Sequence, residues 1–203
     1  MEEARVAREE GRTEESAALL RAAANEAPHL ASRDGERIAG ALGQLAATLC
    51  ELGRLDEAEE CYERAWEITE AAVGPDHLHT ALTLLNRAEI RMSRGRAEEA
   101  DPIYRRLLAI LDRQGDSAVA LLATALTRLA AAGTTLGRAD EAVVASRRAV
   151  GILENGPQPN PLLLMALEAL DNALQRTGAT DEARFIAARA AALEADIRRL
   201  REN

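Results

Sequence analysis

Apolar residues recur every three to four positions along most of this chain, and glycine breaks the rhythm at regular intervals. Ile38, Leu42, Leu45 and Leu49 make the stripe of an amphipathic helix, which Gly53 stops. Ala58, Tyr62, Ala65 and Ile68 make the buried stripe of a second helix, which fades near Val73. Gly74-Pro75-Asp76 then reads as a loop, with Asp76 as the cap of the next helix. The same periodicity predicts helices from about His77 to Arg94, Ala97 to Gln114, Ser117 to Leu136 and Ala139 to Glu154. A short helix, Glu2 to Glu10, opens the chain. A long one, Asp181 to about Arg201, closes it, with Phe185, Ile186, Leu193, Ile197 and Leu200 expected to pack and its arginines to face water.

The interruptions share one motif. Gly53-Arg54-Leu55-Asp56-Glu57-Ala58 recurs as Gly95-Arg96-Ala97-Glu98-Glu99-Ala100 and Gly137-Arg138-Ala139-Asp140-Glu141-Ala142, with looser copies starting at Gly11 and Gly178. The first four glycines are 42 residues apart and the last interval is 41. A period of that size predicts stacked helix pairs in which each repeat buries its apolar face against its neighbours. The glycine is expected to take the left-handed conformation that closes one helix, and the acids to complement the positive start of the next. Gly133, inside a predicted helix, suggests a neighbouring helix passing close. The segment from Asn155 to Pro161 separates two repeats, because the period survives across it. The predicted organisation is a single repeat domain, 1–203, with repeats at about 1–30, 31–74, 75–115, 116–157 and 158–203, the first truncated.

Composition narrows the picture. Alanine supplies much of the 47% apolar content and aromatics only 2%, which favours closely approaching helices over sheet. All 25 basic residues are arginine, so lysine-dependent Schiff-base and phosphate-loop chemistry is excluded. A net charge of −9 argues against a nucleic-acid partner. Two cysteines, Cys50 and Cys61, are too few for a disulfide framework and read as packing residues. With no apolar run of roughly 18 residues and no basic-then-apolar start, the expectation is a cytoplasmic protein with no membrane partner.

The small residues Ala46, Ala58 and Ala65, the aromatic Tyr62 and the glycine turn resemble the tetratricopeptide repeat. The 42-residue spacing is similar to the kinesin-light-chain type of that family, as are Gly74-Pro75-Asp76-His77, Leu85-Asn86-Arg87-Ala88, Gly95 to Pro102 and Leu107-Leu108-Ala109-Ile110. Asp171 departs from the small-residue position held by Ala46, Ala88 and Ala130. Arg91 and Gly133 depart from the bulky position four residues before the turn glycine. The resemblance implies an all-α, right-handed superhelical solenoid of antiparallel helix pairs, with a concave groove that takes a peptide or protein partner. It implies a non-enzymatic adaptor, scaffold or regulatory subunit; self-association into a homo-oligomer is the alternative.

By offset from the turn glycine, the resemblance assigns to the groove Gly43, Gln44 and Ala47; Leu85, Asn86 and Glu89; Thr127, Arg128 and Ala131; and Glu168, Ala169 and Asn172. Asn86 and Gln44 can donate and accept along a peptide backbone, and Arg128 can grip a carboxylate. Exposed polar residues on a helix face are the commoner explanation for any one of them. Asp76-His77-Leu78-His79 lacks helical ligand spacing and an evident fourth ligand, so no metal is expected. The acid pairs at helix starts complement helix dipoles and form no acid–base dyad. No catalytic residue and no cofactor are expected.

Overall fold

The computed structural model describes residues 2–9, 11–25 and 33–202. Among them are ten α-helices: α1 (Glu2–Glu9), α2 (Thr13–Asn25), α3 (Arg33–Glu51), α4 (Leu55–Val73), α5 (Leu78–Ser93), α6 (Ala97–Leu111), α7 (Val119–Thr135), α8 (Ala139–Glu154), α9 (Pro161–Thr177) and α10 (Thr180–Glu202). The expected junction between the first two repeats, at residues 30 and 31, and the expected helix end at Glu10 lie outside the described residues. The helix expected from Ser117 starts instead at Val119, behind a 3-10 turn over Gly115–Ala118. The chain divides into two compact units, Met1–Arg96 and Ala97–Asn203, so the boundary falls inside the third turn motif.

Each turn glycine adopts the left-handed conformation, with φ of 76°, 73°, 73°, 75° and 80° at Gly11, Gly53, Gly95, Gly137 and Gly178. The Gly53 N–H donates to the Cys50 carbonyl at 3.0 Å, and the Arg54 N–H to the Leu49 carbonyl at 2.8 Å. The same two bonds recur at Gly95 (to Met92, 2.9 Å) with Arg96 (to Arg91, 2.8 Å), and at Gly137 (to Thr134, 3.2 Å) with Arg138 (to Gly133, 2.8 Å). This double bond closes the last carbonyls of a helix and requires a positive φ, hence glycine. Asp56 and Glu57, Glu98 and Glu99, and Asp140 and Glu141 occupy the first turns of the helices that follow.

The motif arginine ties successive repeats together. Arg54 meets Glu14 at 3.3 Å, Arg96 meets Glu59, and Arg138 meets Asp101 at 3.1 Å. Each tie joins a turn to an acid from the repeat before it.

The core of the first unit is alanine and leucine. Ile38, Ala39, Ala41 and Leu42 of α3 pack on Ala65 and Ile68 of α4, and Leu45, Ala46, Leu49 and Ala58 pack with Ala17 and Leu20 of α2. In the second unit one cluster runs through α7 to α10, from Ala123 to Ala190. Ala46, Ala88 and Ala130 are fully buried. Asp171, at the same offset in α9, is half-buried. Its Oδ2 accepts from Gln175 at 2.8 Å, while its Oδ1 has no partner among the described residues. Gly133 does approach the next helix: a Cβ there would stand 3.5 Å from the Arg138 carbonyl oxygen and 3.6 Å from the Ala142 Cβ. These are ordinary contact distances, so the approach has room for a methyl group.

Two expectations are corrected. The cap of α5 is His77 and not Asp76, because the helix begins at Leu78 and the His77 Nδ1 accepts the His79 N–H at 3.2 Å. On α10, Phe185 (63%) and Leu200 (64%) are exposed, whereas Ile186 and Ala190 are buried. Phe185 lies about 100° round the helix from Ile186, off the face that meets α9.

Candidate functional site

In the first unit α3 and α5 border an open cleft of about 630 Å³, with α4 behind them. Its floor on α3 is made of small residues, Ala39, Gly40, Gly43 and Ala47, and Tyr62, Ala65 and Thr69 of α4 lie at the back. Leu82, Thr83 and Asn86 form the α5 wall, with Gln44 opposite on α3 and Glu36, Arg37 and His79 also on the lining. Leu82 is 44% exposed, which is unusual for a leucine in a chain whose other leucines mostly pack. Gly40 and Gly43 have nothing within 4 Å of where a Cβ would stand, so the floor is recessed because those side chains are missing.

Chemically the cleft offers a smooth apolar floor that a backbone can approach closely, and two amides able to both donate and accept. The Nδ1 of His79 lies 3.7 Å from the Glu36 carboxylate. Among the described residues no set of three or more His, Cys, Asp or Glu could hold a metal ion. Burial pushes the Cys50 and Cys61 thiols upward, so both stay protonated, and both pack beside the core of α3 and α4. Among the described residues no helix is long and apolar enough to cross a membrane.

Of the residues assigned to a groove from sequence, the cleft brings together Gly43, Gln44, Ala47 and Asn86. Leu85 and Glu89 are half-buried on α5 but lie outside its lining. In the second unit Thr127 is buried and its hydroxyl donates to the Ala123 carbonyl at 2.9 Å, which places it in the packed face of α7 and not on a solvated surface. Arg128 and Ala169 are half-buried, while Ala131, Glu168 and Asn172 are exposed. Ala39, Gly40, Leu82 and His79 were missed. The signal for them was present: Arg37 and His79 stand sixteen residues before their turn glycines, Gly40 and Leu82 thirteen, Gln44 and Asn86 nine. These are successive turns of one helix face.

The family model described as Tetratricopeptide repeat matches residues 37–113. No curated protein matches the sequence significantly. Among solved structures, the chain is similar to BtubC (BKLC) from P. vanneervenii, with a TM-score of 0.83 and 24% identity over 96% of this chain and 78% of that one. It is similar to a Podosopora anserina protein of nearly identical TPR-like repeats, described as a kinesin light chain, with a TM-score of 0.78 and 22% identity over 98% and 94%. It is also similar to MamA, with a TM-score of 0.71 and 15% identity over 98% of both chains. The fold is therefore the all-α repeat fold of these proteins.

Proposed function

We propose that this chain, which carries tetratricopeptide repeats over residues 37–113 and has the fold of kinesin-light-chain-like repeat proteins, is a non-enzymatic protein-interaction scaffold. A segment of a partner protein occupies the cleft between α3 and α5. The observation that carries this reading is the recessed floor at Gly40 and Gly43, flanked by Gln44, Asn86 and the exposed Leu82. A peptide backbone reaches the floor because no side chain intervenes, the two amides bond its N–H and C=O groups, and Leu82 takes an apolar side chain. The five repeats work as one domain. The two free cysteines fit a reducing compartment such as the cytoplasm.

The test exploits the two glycines. Gly43→Tyr sets its Cβ in open space at the lining of the cleft, so the ring occupies the cleft, and it replaces a poor helix former within α3. Affinity purification from native lysate should recover a partner with the wild type and lose it with Gly43→Tyr, while the melting temperature holds or rises. Equal recovery by both proteins would reject the cleft as the docking site.

A further inference from the structure

Two histidines stand at the start of α5, and they have different jobs. The His77 Nδ1 accepts the His79 N–H at 3.2 Å, so His77 closes the first turn of the helix. Its ring meets that of His79 edge-on, with 5.0 Å between centroids. The His79 imidazole reaches across the cleft, where its Nδ1 lies 3.7 Å from the Glu36 carboxylate. Glu36 belongs to the first turn of α3 and His79 to the first turn of α5. The pair therefore spans the two walls at the end where both helices begin, and both residues are on the cleft lining.

Charge decides how that contact behaves. At 3.7 Å the ring and the carboxylate stand too far apart for a hydrogen bond. A protonated imidazole attracts a carboxylate and closes on it in a charge-assisted one. Among the described residues of the lining, the charged groups are Glu36 and Arg37 on α3, with His79 on α5 and the Tyr62 phenol on α4 beside them. Off the lining, His77 touches the ring of His79, and Asp76 precedes His77 in the turn before α5. An arginine keeps its charge at any pH a folded protein meets and a tyrosine ionises near pH 10, so between about pH 5 and 8 the histidine is the side-chain type of the lining that changes charge. Glu36 and Arg37 cancel, so protonation of His79 takes the lining from neutral to a single positive charge, placed opposite Glu36.

On the reading that the cleft takes a partner segment, we infer that Glu36 and His79 form a pH-operated clasp across its mouth, drawn together when His79 is protonated and parted when it is neutral. Gly40 lies one turn of α3 beyond Glu36, and Leu82 lies one turn of α5 beyond His79. A segment laid on the floor at Gly40 and beside Leu82 leaves the cleft at this end between the two heads. Closing the clasp bars that exit, so docking is stronger above about pH 7 than below about pH 6. Both side chains are about half exposed, and exposed pairs couple weakly, so the change is about two- to fivefold, a graded response.

Urea unfolding of the wild type, Glu36→Gln, His79→Gln and the double variant measures the pair without any partner. It is run at about pH 5.5 and about pH 8, where a histidine is mostly charged and mostly neutral while a glutamate stays ionised. The double-mutant cycle should show a coupling of about two- to fivefold in the unfolding constant at the lower pH and none at the higher. The same cycle on a His77→Asn background should agree, because asparagine keeps a cap acceptor and removes the second imidazole. A coupling that is absent at the lower pH, equal at both, or lost with His77→Asn would overturn the clasp. Its effect on docking is read by photo-crosslinking in native lysate from benzoylphenylalanine at Leu82, as the ratio of capture at the higher pH to capture at the lower. That ratio should be about two- to fivefold greater for the wild type than for Glu36→Gln, which shares every other pH effect. Equal ratios would overturn the regulatory role. Absence of capture at the higher pH would reject the cleft as the docking site, and the gate with it, whereas the unfolding cycle judges the pair by itself.

Discussion

Gly95 sits at a φ of 73° with nothing within 4 Å of where a Cβ would stand, so what it requires is a backbone angle and not space. Valine there must hold a left-handed conformation that costs an L-residue about 1–2 kcal/mol, and a β-branched one more. Gly133 presents the opposite case, a helical glycine with room for a methyl group. Gly95→Val should lower the melting temperature by several degrees, and Gly133→Ala should leave it unchanged or raise it; differential scanning calorimetry reads both signs. A second residue-scale effect belongs to Asp101. Burial alone would raise its carboxyl, but hydrogen bonds from Arg105 and Arg138 hold it below the usual carboxylate range. Because its folded value lies below the unfolded value of about 3.9, its contribution is complete above that pH and disappears as pH falls through the folded value. The stability difference between wild type and Asp101→Asn should therefore be constant from pH 7 to about 5 and shrink below about 4 in urea titrations. The turn glycines were legible in the sequence because their constraint is local. His77 displacing Asp76 as the cap was not, since either residue can cap and the choice follows from where α5 starts.

At the scale of elements, nearly every helix was legible from apolar periodicity, and the bounds of α8 agree with the sequence-based expectation. The ties between helices were not. Arg96 pairs with Glu59 and Arg138 with Asp101, in both cases 37 residues back, a separation that follows from helix packing and from no local pattern. The same ionic logic accounts for Arg91, which replaces the bulky apolar residue seen as Leu49 one repeat earlier. It is nearly buried, 3.2 Å from Glu63 and 3.7 Å from Glu59 on α4. Arg87 also reaches Glu63, at 2.6 Å, and lies 4.0 Å over the Trp66 ring. The α4–α5 contact is thus partly an arginine–glutamate network where the repeat before it has Leu45 and Leu49, with the guanidinium stems supplying apolar cover. Phe185 was misassigned to the core of α10 for a related reason: composition marks it as apolar, and only its angle around the helix relative to Ile186 shows that it faces out.

For the whole molecule, the repeat period identified the class of fold, and the solved structures to which the chain is similar share that fold over 96–98% of its length. The cleft between α3 and α5 was legible in part. Offsets from the turn glycine located Gln44, Ala47 and Asn86, but carrying the same offsets into every repeat assumed equivalent faces. Thr127 buries its hydroxyl against its own helix, and Leu85 and Glu89 lie beyond the lining. The cleft exists where glycines at positions 40 and 43 remove side chains, a local feature that a repeat average conceals. The most direct measurement of that claim is site-specific photo-crosslinking, with benzoylphenylalanine placed at Leu82 in the cleft or at Val144, which is 70% exposed in the other unit. Covalent capture of a partner polypeptide from the Leu82 site, absent from the Val144 site and abolished by Gly43→Tyr, is the predicted result. Capture from Val144 alone, or from Leu82 with Gly43→Tyr making no difference, would contradict it.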